Sequence, residues 1–187
     1  MKTLKISHSI ISAWKEGRQE EAIAMYLGKP YPSTDAMELG KLYDKKWCDY
    51  VEETKKLPEE LGGGKLNNPR TQIKYQVTIP LSDEYQILLR GVPDLVDDDM
   101  ITDFKCGRTE ANNYIEKMQL DYYSIFKPDI KVGRYICFNP YTKTKTVGIK
   151  FLSQHNRDNA INDILTFGGE ILEYLLYQKL FKDYKET

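Results

Sequence analysis

The chain has 187 residues, of which 41% are hydrophobic and 29% charged, with a net charge of −1 and a pI of about 6.2. These values are typical of a globular protein with its own core, and they exclude a protein that attracts nucleic acid through its overall charge. No apolar run approaches the length of a membrane span, and the first residues lack a signal-peptide apolar region, so we expect a cytoplasmic protein with no membrane partner.

The chain up to residue 70 has mainly helical patterns. Capping and breaking residues predict three helices, over Ser7 to about Gly17, Glu20 to about Leu27, and Thr34 or Asp35 to about Leu57. Three cysteines are present and none lies in a C-x-x-C pair, so neither a zinc site nor an iron–sulfur site is expected.

From residue 71 the periodicity changes to that of strands. Polar and apolar residues alternate from Thr71 through Ile79, which predicts a first strand. The later patterns predict strands over Tyr85–Val96, Met100–Cys106, Val132–Phe138 and Thr146–Leu152, and helices over Thr109 to about Phe126 and Asn156 to about Tyr184. This order favours one α/β domain with a mixed β-sheet flanked by helices. It divides into a mainly helical N-terminal part (1–70), a sheet with a crossover helix (71–153) and a C-terminal helix (154–187).

Two aspartates and a lysine stand out in the predicted strands. Asp103 and Lys105 are two residues apart and therefore share a face, and Asp94 is expected to lie opposite or diagonal to Asp103. Carboxylate oxygens are the ligands that Mg²⁺ and Mn²⁺ prefer, and such an ion activates water for phosphodiester hydrolysis. The alternative is that these are surface charges on an amphipathic hairpin. The apolar residues around them favour the first interpretation, because charges in an apolar hairpin are costly unless they are paired or bound to metal.

Four short motifs resemble those of one known family. Pro93-Asp94 and Asp103-Phe104-Lys105 resemble the two halves of the PD-(D/E)XK nuclease signature, in its RecB-like or lambda-exonuclease-like branch. Gly40 to Asp44 resembles the helical G-x-x-x-(H/E) motif of that branch, with a shorter acid at its last position. Gln119 to Tyr123 resembles its Q-x-x-x-Y motif.

The resemblance implies a restriction-endonuclease-like fold and a role for each motif. Asp94 and Asp103 would bind Mg²⁺ or Mn²⁺ together with Asp44 or the backbone carbonyl of Phe104, and Lys105 would assist the attack of water. Other acids on the helix of Asp44 remain alternatives as ligands, namely Glu38, Asp49 and Glu52. Gln119 and Tyr123 would support the site and grip DNA. Arg108 is the basic residue best placed in the sequence to meet a phosphate.

The expected function is therefore a metal-dependent DNA nuclease, an exonuclease in particular, that acts in recombination, repair or phage DNA processing. The implied setting is the cytoplasm of a bacterium or a phage-infected cell, with DNA as a partner and a homo-oligomer or a recombination protein as further partners. One alternative is a nuclease-fold DNA-binding or assembly protein that does not cut. Another is hydrolysis of RNA or of a structured nucleic acid.

Overall fold

The structure is a computed structural model that describes residues 1–30 and 32–178. Its helices are α1 (His8–Lys15), α2 (Gln19–Tyr26), α3 (Asp35–Thr54), α4 (Asn112–Ile115), α5 (Gln119–Phe126) and α6 (Gln154–Tyr177). Its strands are β1 (Lys2–Ser7), β2 (Arg70–Thr71), β3 (Tyr75–Pro80), β4 (Tyr85–Gly91), β5 (Leu95–Asp97), β6 (Met100–Cys106), β7 (Val132–Asn139) and β8 (Thr144–Phe151). A short 3₁₀ helix covers Glu59–Leu61. Within the described ranges, no helix is both long and apolar enough to cross a bilayer.

The described residues form two compact units. The first comprises residues 1–30, 75–91 and 158–178 and contains a three-stranded sheet in the order β1-β4-β3. In this sheet β1 pairs with β4 in parallel, whereas β3 and β4 are antiparallel. Trp14 of α1 makes edge contacts with the rings of Phe167 and Tyr174 on α6, at centroid distances of 5.9 and 5.4 Å. Apolar contact between α1 and α6 therefore contributes to the stability of this unit.

The second unit comprises residues 32–74 and 92–157 and contains a five-stranded sheet in the order β2-β5-β6-β7-β8. Its central strands β6 and β7 are parallel, and its other pairs are antiparallel. The segment between β6 and β7 is the crossover that parallel pairing requires, and it contains α4 and α5. The α/β class and the mixed pairing flanked by helices confirm the predicted fold class.

Helix α3 packs its apolar side on the five-stranded sheet. Thr34 caps it, because its Oγ1 accepts a hydrogen bond from Met37 N at 3.3 Å, and the helix ends before Lys55 in a left-handed conformation. The fully buried Trp47 makes edge contacts with Phe104 of β6 and Phe138 of β7, at centroid distances of 5.6 and 5.9 Å. This aromatic cluster sets the position of α3 on the sheet.

Helix α5 approaches β7 closely, and Gly133 permits the approach. A Cβ atom at this position would lie 2.8 Å from Leu120 Cδ1, so a larger residue would push the helix away. An ion pair between Asp121 of α5 and Lys150 of β8, with Oδ2 and Nζ at 2.6 Å, adds a second contact in which both side chains are largely buried. Helix α5 is therefore held against the sheet by two adjacent residues of its first turn.

Several predicted boundaries are wrong. The predicted strand over Tyr85–Val96 is divided into β4 and β5, which belong to different sheets, and the break covers Val92 to Asp94. Pro93 lies at the break because it has no backbone N–H for a ladder hydrogen bond. The expectation of one continuous sheet is thus replaced by two mixed sheets. The predicted first strand likewise becomes β2 and β3, with the residue at position 73 outside both.

The helical predictions also need correction. The mainly helical N-terminal part begins with β1, a strand in which Leu4 and Ile6 are buried because it pairs with β4. The predicted helix from Thr109 is two shorter ones, α4 and α5, and the third predicted helix ends at Thr54, before Leu57. Helix α6 begins at Gln154. Residues 179–187, in which the predicted C-terminal helix was to end, lie outside the described residues.

Candidate active site

The site of interest lies within the second unit, where β5 meets β6. Leu95 pairs with Thr102 in the antiparallel register, so Asp94 lies opposite Asp103, as the sequence predicted. Asp94 Oδ2 accepts a hydrogen bond from the backbone N–H of Phe104 at 2.8 Å. Asp94 directly precedes β5, and its carboxylate lies beside β6.

Asp103 and Lys105 share a face of β6 and form an ion pair. Lys105 Nζ lies 2.6 Å from Asp103 Oδ2, and the side chain of Asp103 is only 2% exposed, against 27% for Lys105. The ammonium also lies over the ring of Tyr114, 5.7 Å from its centroid. The lysine is thus held between a buried carboxylate and an aromatic face, both of which favour its charged form.

Helix α5 contributes a chain of hydrogen bonds that begins at the same carboxylate. Gln119 Nε2 donates hydrogen bonds to Asp103 Oδ1 at 2.7 Å and to Tyr123 Oη at 3.0 Å. The Tyr123 hydroxyl in turn donates to the carbonyl of Val92 at 3.3 Å. Residues four apart share one face of a helix, so this chain of hydrogen bonds follows from the spacing of the two residues. Gln119 of the Q-x-x-x-Y motif therefore contacts Asp103 directly, and Tyr123 is connected to that carboxylate through Gln119.

Among the acids considered on α3, Asp44 is the one whose electrostatics link it to this site. Burial first, and then the charge of Asp103, raises the pKa of Asp44 to about 6, while Lys105 lowers it. The alternative ligands are engaged elsewhere: Glu38 pairs with Lys41, Asp49 with Lys45, and Glu52 accepts a hydrogen bond from Thr71.

The electrostatics of the cluster favour binding of a cation. Burial raises the pKa of Asp94 well above its usual value, and the charges of Asp103 and Asp44 raise it further. Burial also raises the pKa of Asp103, against the opposing effect of Lys105. Burial would lower the pKa of Lys105, but the adjacent Asp103 carboxylate outweighs it and the net direction is upward. Lys105 therefore carries its positive charge.

The donor set fits a hard divalent cation in its chemistry. Asp44 Oδ1 is buried and has no hydrogen-bond partner among the described residues, so its lone pairs are free, whereas Asp103 Oδ2 is paired with the Lys105 ammonium at 2.6 Å. Carboxylate oxygens that lack donors are suitable ligands for Mg²⁺ or Mn²⁺. Within residues 1–30 and 32–178, however, no group of three or more His, Cys, Asp or Glu side chains has the spacing of a formed metal site. The carboxylates lie in one cluster, but they do not have the spacing of ligands that surround a single ion.

The remaining predicted residues are Phe104 and Arg108. The side chain of Phe104 is buried against Trp47, which leaves only its backbone groups beside Asp94. Arg108 is exposed after β6, and its guanidinium lies 5.0 Å from the ring centroid of Tyr141. Arg108 is therefore accessible to a phosphate, two residues beyond the end of the strand that carries Asp103 and Lys105.

Sequence reasoning missed two residues that contact the cluster. Gln72 donates a hydrogen bond from Nε2 to Asp94 Oδ1 at 3.1 Å, although it is 22 residues away in the chain. Tyr114 is the second, because its ring contacts the Lys105 ammonium. A non-glycine residue in a left-handed turn is not visible in a single sequence, and an aromatic residue at helical spacing looks the same in a core and in a site.

Comparison with solved structures identifies the fold. LHK-Exo, an alkaline exonuclease from Laribacter hongkongensis, has a structure in complex with dAMP that matches with a TM-score of 0.56 at 15% identity, over 94% of this chain and 91% of that one. The chain shares its fold with LHK-Exo. A second LHK-Exo structure matches with a TM-score of 0.51 at 14% identity, over the same shares of the two chains. The protein SSO0001 matches with a TM-score of 0.54 at 13% identity, over 87% of this chain and 76% of that one.

This likeness confirms the predicted resemblance to a lambda-exonuclease-like nuclease at the level of the fold. No family model matches the chain, and no curated protein matches its sequence. One fold supports many functions, so the activity has to be argued from the residues of the site.

Proposed function

We propose that this protein is a divalent-metal-dependent deoxyribonuclease, and specifically an exonuclease. The observation that carries the proposal is the convergence of Asp94, Asp103, Lys105 and Gln119 on one buried cluster, in a nuclease fold. Three carboxylates beside one ammonium leave excess negative charge in a partly buried place, which a cation would neutralise. LHK-Exo, which shares this fold, is an alkaline exonuclease, and this supports the choice of an exonuclease.

In this proposal Asp94 and Asp103 hold the ion, with Asp44 or the carbonyl of Phe104 as a further ligand. A bound Mg²⁺ or Mn²⁺ lowers the pKa of a water molecule and polarises the phosphodiester. The chain's own residues do the remaining work. Gln119 fixes the plane of the Asp103 carboxylate, and Lys105 presents a fixed positive charge to the phosphate, where negative charge develops in the transition state.

DNA binding would use groups around the same cluster. Arg108 is exposed and suits a phosphate contact, which positions a duplex without reading its sequence. Gln119 and Tyr123 are proposed to support the strand that is cut. A homo-oligomer or a recombination protein as partner stays a prediction from the resemblance.

A DNA-cleavage assay tests the proposal. The protein is incubated with linear, nicked-circular and single-stranded DNA in Mg²⁺, Mn²⁺ or EDTA, beside Asp103→Asn and Lys105→Met. We expect metal-dependent degradation of linear DNA from its ends, no degradation in EDTA, and loss of cleavage in both variants. Asp49→Asn is the matched control, because Asp49 is exposed on α3 and pairs with Lys45 outside the cluster. Cleavage that survives in both site variants would contradict the assignment.

One observation favours a second candidate, a nuclease-fold protein that binds DNA without cutting it. No formed metal site exists among the described residues, and the acid on α3 is the short Asp44. Retention of DNA in a gel-shift assay, without cleavage in either metal, would support this candidate. Degradation of RNA in place of DNA would keep the reaction and change the substrate.

A further inference from the structure

Gln72 occupies a strained position directly beside the acidic cluster. It follows β2, and its backbone is left-handed, with φ of 50°. Non-glycine residues rarely adopt this conformation, and among the described residues only Lys55 and Lys143 share it. Residues held in such regions persist where the surrounding structure fixes them, and they are concentrated at functional sites.

The contacts of Gln72 are all made with Asp94 and with Cys48 beside it. Its backbone N–H donates to the carbonyl of Asp94 at 3.3 Å, and its side-chain Nε2 donates to Asp94 Oδ1 at 3.1 Å. The same Nε2 lies 3.5 Å from Cys48 Sγ, whose thiol lies 3.5 Å from the carbonyl of Asp94. The left-handed backbone therefore turns both the main chain and the amide of Gln72 toward a single aspartate.

Core packing does not explain this arrangement. The side chain of Gln72 is exposed, so it fills no cavity, and glycine or asparagine would make a left-handed turn at lower cost. The amide nevertheless donates to the one Asp94 oxygen that Phe104 leaves free, because Phe104 N donates to the other oxygen at 2.8 Å. Two donors on two oxygens fix the plane of the carboxylate.

We propose that Gln72 is a positioning residue for Asp94. It orients the carboxylate so that its remaining lone pairs face the cation of the nuclease reaction. This role rests on the proposed function. A neutral amide suits it, because an amide donates a hydrogen bond to a carboxylate without neutralising the charge that attracts the metal. Groups that orient metal ligands in this way change metal affinity or activity by about 10–100-fold when they are removed.

Two variants separate the amide from the backbone. Gln72→Ala and Gln72→Gly both remove the hydrogen bond, but only glycine relieves the left-handed strain. Lys55→Gly is the matched control, because it relieves the same kind of strain at the end of α3, away from Asp94. We would measure Mn²⁺ binding to the folded protein by electron paramagnetic resonance, melting temperature in EDTA, and single-turnover cleavage of linear DNA in Mg²⁺.

We expect loss of the Gln72 amide to weaken metal binding, and relief of the left-handed backbone strain to raise the melting temperature. Both Gln72 variants should bind Mn²⁺ about 10-fold or more weakly and cleave correspondingly slowly. Gln72→Gly should melt at a higher temperature than Gln72→Ala, and Lys55→Gly should match the wild type in metal binding. If Gln72 serves only the turn, its two variants should differ in melting temperature and bind Mn²⁺ as tightly as the wild type. That result would overturn the proposal for Gln72.

The outcomes also distinguish this inference from the proposed function. A wild-type protein that binds no Mn²⁺ and cuts no DNA would overturn the nuclease proposal, and the positioning role with it. A wild type that binds and cuts, beside Gln72 variants with unchanged Mn²⁺ affinity, would overturn the role of Gln72 alone.

Discussion

Asp44 provides a sharp test, because its charge should destabilise the metal-free protein while it serves the site. Burial and the Asp103 charge raise its pKa from 3.8 to about 6. An acid whose pKa is higher in the folded state than in the unfolded state lowers the free energy of unfolding at high pH. This cost is absent below the unfolded pKa, grows as the pH rises, and is complete above the folded pKa.

The size of the effect follows from the two pKa values of Asp44. The difference between 3.8 and about 6 corresponds to about 3 kcal/mol above pH 7. Because the side chain is only partly buried, solvent screening reduces this figure, and we expect about 1–3 kcal/mol. Asp44→Asn cannot ionise, so in EDTA at pH 8 it should be more stable than the wild type by this amount. At pH 5 the advantage should fall to about half.

Urea unfolding in EDTA across this pH range measures the difference directly. Asp49→Asn on the same helix is the control and should change stability by less than about 0.5 kcal/mol, since Asp49 is exposed. Mg²⁺ should then stabilise the wild type more than Asp44→Asn. A lower stability of Asp44→Asn than of the wild type at pH 8, or an advantage in stability that does not depend on pH, would refute this prediction.

Three further changes test the rest of the site. Lys105→Met should lower single-turnover cleavage about 100-fold or more, with DNA binding by gel shift largely kept, because the ammonium acts on developing charge. Asp121→Asn should lower the free energy of unfolding by about 3 kcal/mol, since Lys150 is only 13% exposed and loses its carboxylate partner, keeping one hydrogen bond to the Lys117 carbonyl. In a double-mutant cycle, adding Lys150→Met should cost less than the sum of the single changes. Gly133→Ala would place a Cβ 2.8 Å from Leu120. It should destabilise the protein by about 1–3 kcal/mol in a thermal or urea melt and displace α5, so cleavage falls too.

The short-range parts of the site were predictable because they depend on local spacing. Asp103 and Lys105 share a face through the two-residue repeat of a strand, and Gln119 and Tyr123 share one through the helical repeat. The ion pair and the hydrogen bond between these residues are both present. The strands on either side of the predicted crossover were also located to within about two residues, because each has a strong apolar pattern.

Other features depended on partners far away in the chain. Residues 2–7 form a strand because β4 pairs with them in parallel, and a six-residue pattern at a chain start does not reveal that partner. The division of residues 85–96 between two sheets was likewise hidden. The apolar pattern is almost continuous there, and only tertiary pairing decides which sheet each half joins.

The sequence by itself determined the chemical elements of the site: two aspartates, a lysine, and an amide–phenol pair at fixed short spacings. Only the tertiary structure decided which acid of α3 approaches Asp103, and that Gln72 reaches Asp94 from a left-handed turn. The physical reason is that local periodicity dictates which side chains share a face. Contacts between elements distant in sequence depend instead on how helices and strands pack, which no short pattern encodes.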